Sequence, residues 1–177
     1  MAATGQGRAG VRVNVNGRGE TNVATGVPVL DHLLSMLAVY ASFDLALEVE
    51  PGSSSELEIT AAARSLGEAL AEPLRSPAVR GHGSAEIPVD EALAHVTLEA
   101  TGRPLLVSKI DLSEARIAGL AGDLAARFLD ELTQTAGLTL HVRLIEGSDT
   151  QHVLEAIFKA LGAALAQALT PRRRENE

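Results

Sequence analysis

Two periodicities alternate along this chain. Val11-Arg12-Val13-Asn14-Val15-Asn16 alternates strictly and runs into Gly17 and Gly19, which predicts a strand closed by a turn. After Thr25-Gly26-Val27-Pro28, the residues Val29, Leu30, Leu33, Leu34 and Leu37 recur at helical spacing, predicting a helix from about Val29 to Tyr40 with Asp31, His32 and Ser35 off its apolar face. Phe43, Leu45, Leu47 and Val49 mark a strand over 43–50 that ends in a Pro-Gly-Ser turn, and Ile59 to Leu74 is Ala-rich and helical. Further strands are expected at 86–91, 95–101 and 103–110. A helix over 122–135, a strand over 138–145 and a helix over 151–169 follow.

The later elements repeat the earlier ones. A displacement of 95 positions carries Gly67-Glu68-Ala69-Leu70 onto Gly162-Ala163-Ala164-Leu165, the strand 43–49 onto 138–144, and the Gly52-Ser53 turn onto Gly147-Ser148, without a gap. We therefore expect one domain, 1–177, built from two fused repeats of about 11–100 and 101–170, with 1–10 and 171–177 as flexible tails. The expected class is α/β (α+β): a duplicated half-domain with two helices beside a small mixed sheet in each half.

Composition narrows the function classes. With 177 residues, 46% of them hydrophobic, the chain can bury a substantial core. Its net charge of −8 and 2% aromatic content argue against a phosphate-backbone or base-stacking surface, so no nucleic-acid partner is expected. The Arg172-Arg173-Arg174 run sits beside Glu175 and Glu177 and reads as a solvated tail. Without cysteine there are no disulfides, thiolate metal sites or thiol nucleophiles, which fits the cytoplasm. No stretch approaches the roughly 20 apolar residues of a membrane span, so no membrane partner is expected.

The two repeats differ where chemistry would sit. The second opens its last helix with Gln151-His152-Val153-Leu154-Glu155, whereas the first has Glu56-Leu57-Glu58-Ile59-Thr60 there. His152, Glu155 and Lys159 share one helical face. His141 precedes them on a strand, pointing opposite to Leu140 and Val142. His and carboxylate donors at such spacing suit Mn²⁺, Fe²⁺ or Zn²⁺. A solvated helix N-terminus with Glu155 favoured by the helix dipole explains the same pattern. His32 has the same two readings, His82 reads as a surface residue between glycines, and His95 receives no role.

Taken in order, Thr25-Gly26, Leu30-Asp31-His32-Leu33, Phe43-Asp44-Leu45, Pro88-Val89-Asp90-Glu91-Ala92-Leu93, Gly102-Arg103-Pro104, Ala136-Gly137-Leu138-Thr139-Leu140-His141 and His152-Val153-Leu154-Glu155-Ala156-Ile157-Phe158-Lys159-Ala160 resemble the imidazoleglycerol-phosphate dehydratase family of histidine biosynthesis. The resemblance covers roughly 11–169. It implies a duplicated half-domain with helices packed between two sheets. It also implies a pair of manganese ions held between subunits of a 24-chain assembly built from trimers, and a reaction that removes water from imidazoleglycerol phosphate.

Carried over residue by residue, the family's metal ligands match at His32, His141, His152 and Glu155. Substrate contacts are expected at Arg103, Asp90, Glu91 and Lys159. The family's first-repeat ligand motif falls on Glu56, Leu57 and Thr60, and the leading His of its second motif is Gln151. The family's N-terminal Arg-x-Thr-x-Glu-Thr segment and C-terminal Ser-Thr-Lys-Gly have no counterpart. Its Arg-Phe-Gly is Gly81-His82-Gly83, with Arg80 one position out of register. Three readings follow. One is a divergent member whose incomplete manganese site makes it no competent dehydratase alone. Another is a subunit that co-assembles with an intact paralogue. The third is a working lyase with a reduced or rebuilt, single-metal site. Each carries the expectation of a homo-oligomer, trimer or 24-mer, or of that paralogue as partner.

Overall fold

The structure is a computed structural model that describes residues 9–52, 54–108 and 121–173. Eleven elements are described: β1 (Ala9–Asn14), β2 (Thr21–Ala24), α1 (Pro28–Ala41), β3 (Asp44–Val49), α2 (Ser55–Arg75), β4 (His82–Val89), β5 (Ala92–Glu99), β6 (Leu105–Ser108), α3 (Ala121–Ala136), β7 (Thr139–Glu146) and α4 (Thr150–Ala168). Two mixed sheets flank the helices. The first has the order β1-β3-β2 and the second β4-β5-β7-β6.

Local sequence explains the ends. Pro28 suits the first turn of α1, where its missing N–H is not needed. Ser42 adopts a left-handed φ of 57° that closes the helix, and the Phe43 N–H bonds to the Ala38 carbonyl at 2.9 Å. Ser54 caps α2 by accepting from the Leu57 N–H at 3.3 Å, and Asp149 caps α4 by accepting from the His152 N–H at 3.1 Å.

The duplication is visible in pairing as well as in sequence. β1 runs antiparallel and β2 parallel to β3, as β5 runs antiparallel and β6 parallel to β7. Val13 faces Leu45 as Leu98 faces Leu140, the position that the 95-residue displacement assigns to Leu45. The second sheet is thus the first sheet plus β4. The second sheet therefore draws its strands from His82 onward.

Between the sheets α1 packs on α4 and α2 on α3. Each pair crosses at an equivalent glycine: a Cβ on Gly162 would run into the Leu37 backbone of α1, and one on Gly67 into Thr135 of α3. Leu45, Leu47, Val96, Leu98, Leu140 and Val142 are buried on the inner sheet faces against Leu34, Leu37, Leu66, Phe128, Phe158 and Leu161. Phe128 and Phe158 meet at 5.2 Å between ring centres, joining the two helix pairs.

Several boundaries move. β2 is not expected from sequence, because Val23 is its one large apolar residue. β4 begins at His82 and β5 at Ala92, several residues earlier than expected. Their inward positions there are Gly83, Ala92 and Ala94, which give no apolar signal yet pack closely; a Cβ on Gly83 would strike the Ala164 carbonyl of α4. Ala9 and Gly10 belong to β1. Arg172 is tied down by its N–H to the Ala78 carbonyl and its Nε to the Val79 carbonyl, both at 2.8 Å. The end of the strand expected over 103–110 lies outside the described residues.

Candidate functional site

The start of α1 is fixed by a side chain that caps from inside the helix. Val27 at the N-cap carries no capping group, and instead the Asp31 carboxylate accepts from the Thr25 N–H at 2.8 Å and from the Thr25 hydroxyl. Thr25 is fully buried, and Gly26 turns with φ +84° directly behind it. This lock sets the position of His32, the next residue.

His32 projects from α1 onto α4. Its Nε2 lies 3.1 Å from Glu155 Oε1, and Gln151 Nε2 donates to that same oxygen at 3.3 Å. Glu155 is buried to 9% exposure, while the His32 side chain is 53% exposed. A buried carboxylate needs polar partners, and here one imidazole and one amide provide them. Pro28, Val29, His32, Leu33, Gln151 and Leu154 line an open pocket of about 360 Å³ beside the pair. One turn further along α4, Lys159 Nζ sits 5.3 Å from the centre of the Tyr40 ring, a cation–π arrangement.

His152 turns away from Glu155 although the two lie only three positions apart on α4. Its Nδ1 lies 2.7 Å from Glu91 Oε2 and its Nε2 3.3 Å from Asp90 Oδ2, both on the β4–β5 turn, with Asp149 Oδ1 at 3.8 Å. Asp90 takes a left-handed φ of 50° to make that turn. Glu91 also accepts from the Asp149 N–H at 2.8 Å. That backbone bond first, and the His152 bond second, hold its carboxyl down at about 2. The Glu91 hydrogen bond in turn raises His152 above the usual imidazole value, and the nearby Asp149, Glu91 and Asp90 charges add to it. Both nitrogens of this imidazole therefore face carboxylates.

His141 and Arg103 lie elsewhere. His141 is exposed on β7, level with Thr97 of β5 and Val107 of β6, on the outer face of the second sheet. It lies five positions before the end of β7, roughly 17 Å of strand. Arg103 is exposed in the loop after β5, at the opposite end of that strand from Asp90 and Glu91, with its N–H on Thr101 Oγ1 at 3.1 Å. The expected residues therefore fall into separate groups: His32 with Glu155 and Gln151, His152 with Asp90 and Glu91, Lys159 on Tyr40, and His141 and Arg103 each apart. Among the described residues no three His, Asp or Glu side chains are arranged to hold a metal ion.

Two features escape a reading of the sequence. The Thr25–Asp31 lock is signalled only by a Thr-Gly before an Asp in a first helical turn. His95, given no role, joins Ser84 Oγ at 2.7 Å and Thr97 Oγ1 at 3.3 Å on the outer sheet face, a network that emerges only from the β4–β5 register.

Residues 25–165 match the sequence model of the family described as imidazoleglycerol-phosphate dehydratase. The dehydratase of Syntrophobacter fumaroxidans is 42% identical over 88% of this chain and 81% of its own length, and that of Pelobacter propionicus 35% over 96% and 89%. Among solved structures, imidazoleglycerol-phosphate dehydratase from Staphylococcus aureus superposes with a TM-score of 0.84 at 28% identity, covering 93% of this chain and 95% of that one. IGPD from Pyrococcus furiosus gives 0.85 at 27% identity, covering 99% and 96%.

Proposed function

From the premise that this chain belongs to the imidazoleglycerol-phosphate dehydratase family of histidine biosynthesis, we propose that it is a divergent member that takes an imidazole or phosphate ligand but is not a competent dehydratase alone. One observation carries the reading. The first-repeat positions equivalent to His152 and Glu155 hold Leu57 and Thr60. Leu57 is 42% exposed, a hydrocarbon surface where a ligand would stand.

Removing a carbon-bound proton from the ligand requires charge stabilisation that manganese supplies in the family. This chain's residues act on what surrounds that chemistry. Glu155 and Gln151 orient His32 at the mouth of the pocket, Glu91 and Asp90 fix His152, and Arg103 and Lys159 are cations for a phosphate. Their separation on one chain supports a homo-oligomer in which a neighbour completes the site, since β5 alone, eight residues long, puts roughly 25 Å of sheet between Glu91 and Arg103. Manganese, if held, sits between copies.

The test is turnover. Purified protein with Mn²⁺ and imidazoleglycerol phosphate is expected to form imidazoleacetol phosphate at least about 10³-fold more slowly, in kcat/KM, than an intact family enzyme, in line with the loss of one main electrostatic contributor. A rate within tenfold of the intact enzyme overturns the proposal. A rise only after co-refolding with an intact family enzyme points to the partner-subunit reading, which the retained His32–Glu155 pair favours.

A further inference from the structure

The duplication lets each residue around His32 be compared with its equivalent in the other helix pair. The 95-position displacement carries His32 of α1 onto Arg127 of α3, while Glu56, Thr60 and Arg64 of α2 correspond to Gln151, Glu155 and Lys159 of α4. The helix pairs correspond too, since α1–α4 crosses at Gly162 and α2–α3 at Gly67. In the α1–α4 opening His32 meets Glu155. Across α2 and α3 Arg127 meets Glu56, one turn nearer the helix start, at 3.6 Å, because Thr60 offers no carboxylate. Arg64 is neutralised likewise by Glu131 at 2.9 Å. On the α1–α4 side its equivalent, Lys159, lies over an aromatic ring.

We propose that the start of the α2–α3 pair is a pseudo-site, in which the half-exposed Arg127 guanidinium, paired with Glu56, stands as a cation where a divalent ion would otherwise be liganded. The chain then offers metal donors on its α1–α4 side alone. Arg127 is fit for this part: a guanidinium stays charged at any working pH and cannot ligate a metal, so it both supplies positive charge and excludes the ion. Of the two carboxylates in the first turn of α2, Glu56 is turned to the guanidinium, while Glu58 accepts from the Gly52 N–H at 3.1 Å. The pseudo-site deepens the reading of an incomplete manganese site and rests on it.

The experiment is Mn²⁺ binding by calorimetry and by loss of the free-ion EPR signal on the full chain. It compares wild type with Arg127→Ala, Glu155→Gln and the combined Arg127→His, Leu57→His, Thr60→Glu variant. Thermal melts confirm that each protein folds. The combined variant is expected to gain Mn²⁺ sites over wild type, and Arg127→Ala to leave affinity and stoichiometry within about twofold. No gain in a folded combined variant, or a tenfold weakening in Arg127→Ala, overturns the pseudo-site. The Glu155→Gln variant reports separately on the α1–α4 donors: an unchanged Mn²⁺ affinity there counts against the proposed function, while the Arg127 variants still decide the pseudo-site.

Discussion

Gly162→Ala tests whether the α1–α4 crossing holds the candidate site together. In an isolated helix this change is favourable by about 1 kcal/mol. Here the new Cβ would stand 3.1 Å from both the Cα and the carbonyl carbon of Leu37 and closer still to its oxygen, against the roughly 3.5–4.0 Å at which carbon atoms pack. Backbone cannot rotate aside, so α1 must part from α4 by several tenths of an ångström. Overpacking of this kind costs about 1–3 kcal/mol, and an immovable backbone obstacle argues for the upper end. The net loss is about 2 kcal/mol, or about 4–8 °C in Tm for a chain of this size. The assay is thermal unfolding followed by circular dichroism at fixed protein concentration, so that any assembly contributes equally. Since His32 rides on α1 and Glu155 on α4, the same separation lengthens their 3.1 Å contact. A Tm unchanged or raised by Gly162→Ala would disprove the tight crossing, because the propensity gain would then be unopposed.

Four further outcomes are expected. Gly67→Ala costs less, about 1 kcal/mol, because its obstacle is chiefly the Thr135 side chain, and adding Thr135→Ala recovers stability in a double-mutant cycle. Asp149→Ala, which removes the α4 cap, lowers stability by about 1 kcal/mol in urea denaturation. Asp44 is depressed below its usual carboxylate value, first by the Arg18 N–H and then by the Glu20 N–H. Its stabilisation is therefore present above the unfolded pKa and fades as pH falls below about 4; Asp44→Asn flattens that limb of the pH–stability curve. His152 is raised above its unfolded value, so its stabilisation is complete below about pH 6.5 and fades as pH climbs through the folded pKa. In an NMR titration Glu91→Gln moves the His152 midpoint down, and an unmoved midpoint contradicts the Glu91 contact.

The duplicated fold is readable in the sequence because strands 43–49 and 138–144 and the helices after them bury large apolar side chains at regular spacing. β2 is not, because Val23 is its one large apolar residue, and the starts of β4 and β5 are not, because their inward positions are small or absent side chains whose contribution is close approach. For the site, helical spacing places His152, Glu155 and Lys159 on one face of α4, yet each finds a different neighbour: Glu91, His32 and Tyr40. Periodicity gives the face of a helix and is silent on what packs against it. The Arg127–Glu56 pair is hidden for the same reason, since its partners lie on helices that only the tertiary fold brings together.

Bound manganese per chain, measured by elemental analysis of protein purified with Mn²⁺ and then desalted, decides whether the site is incomplete. At most one ion per chain is expected, lost on Glu155→Gln. Two ions per chain, retained through desalting, would mean that the first repeat still completes a metal site despite Leu57 and Thr60, and the reading of a chain with one emptied half would be wrong.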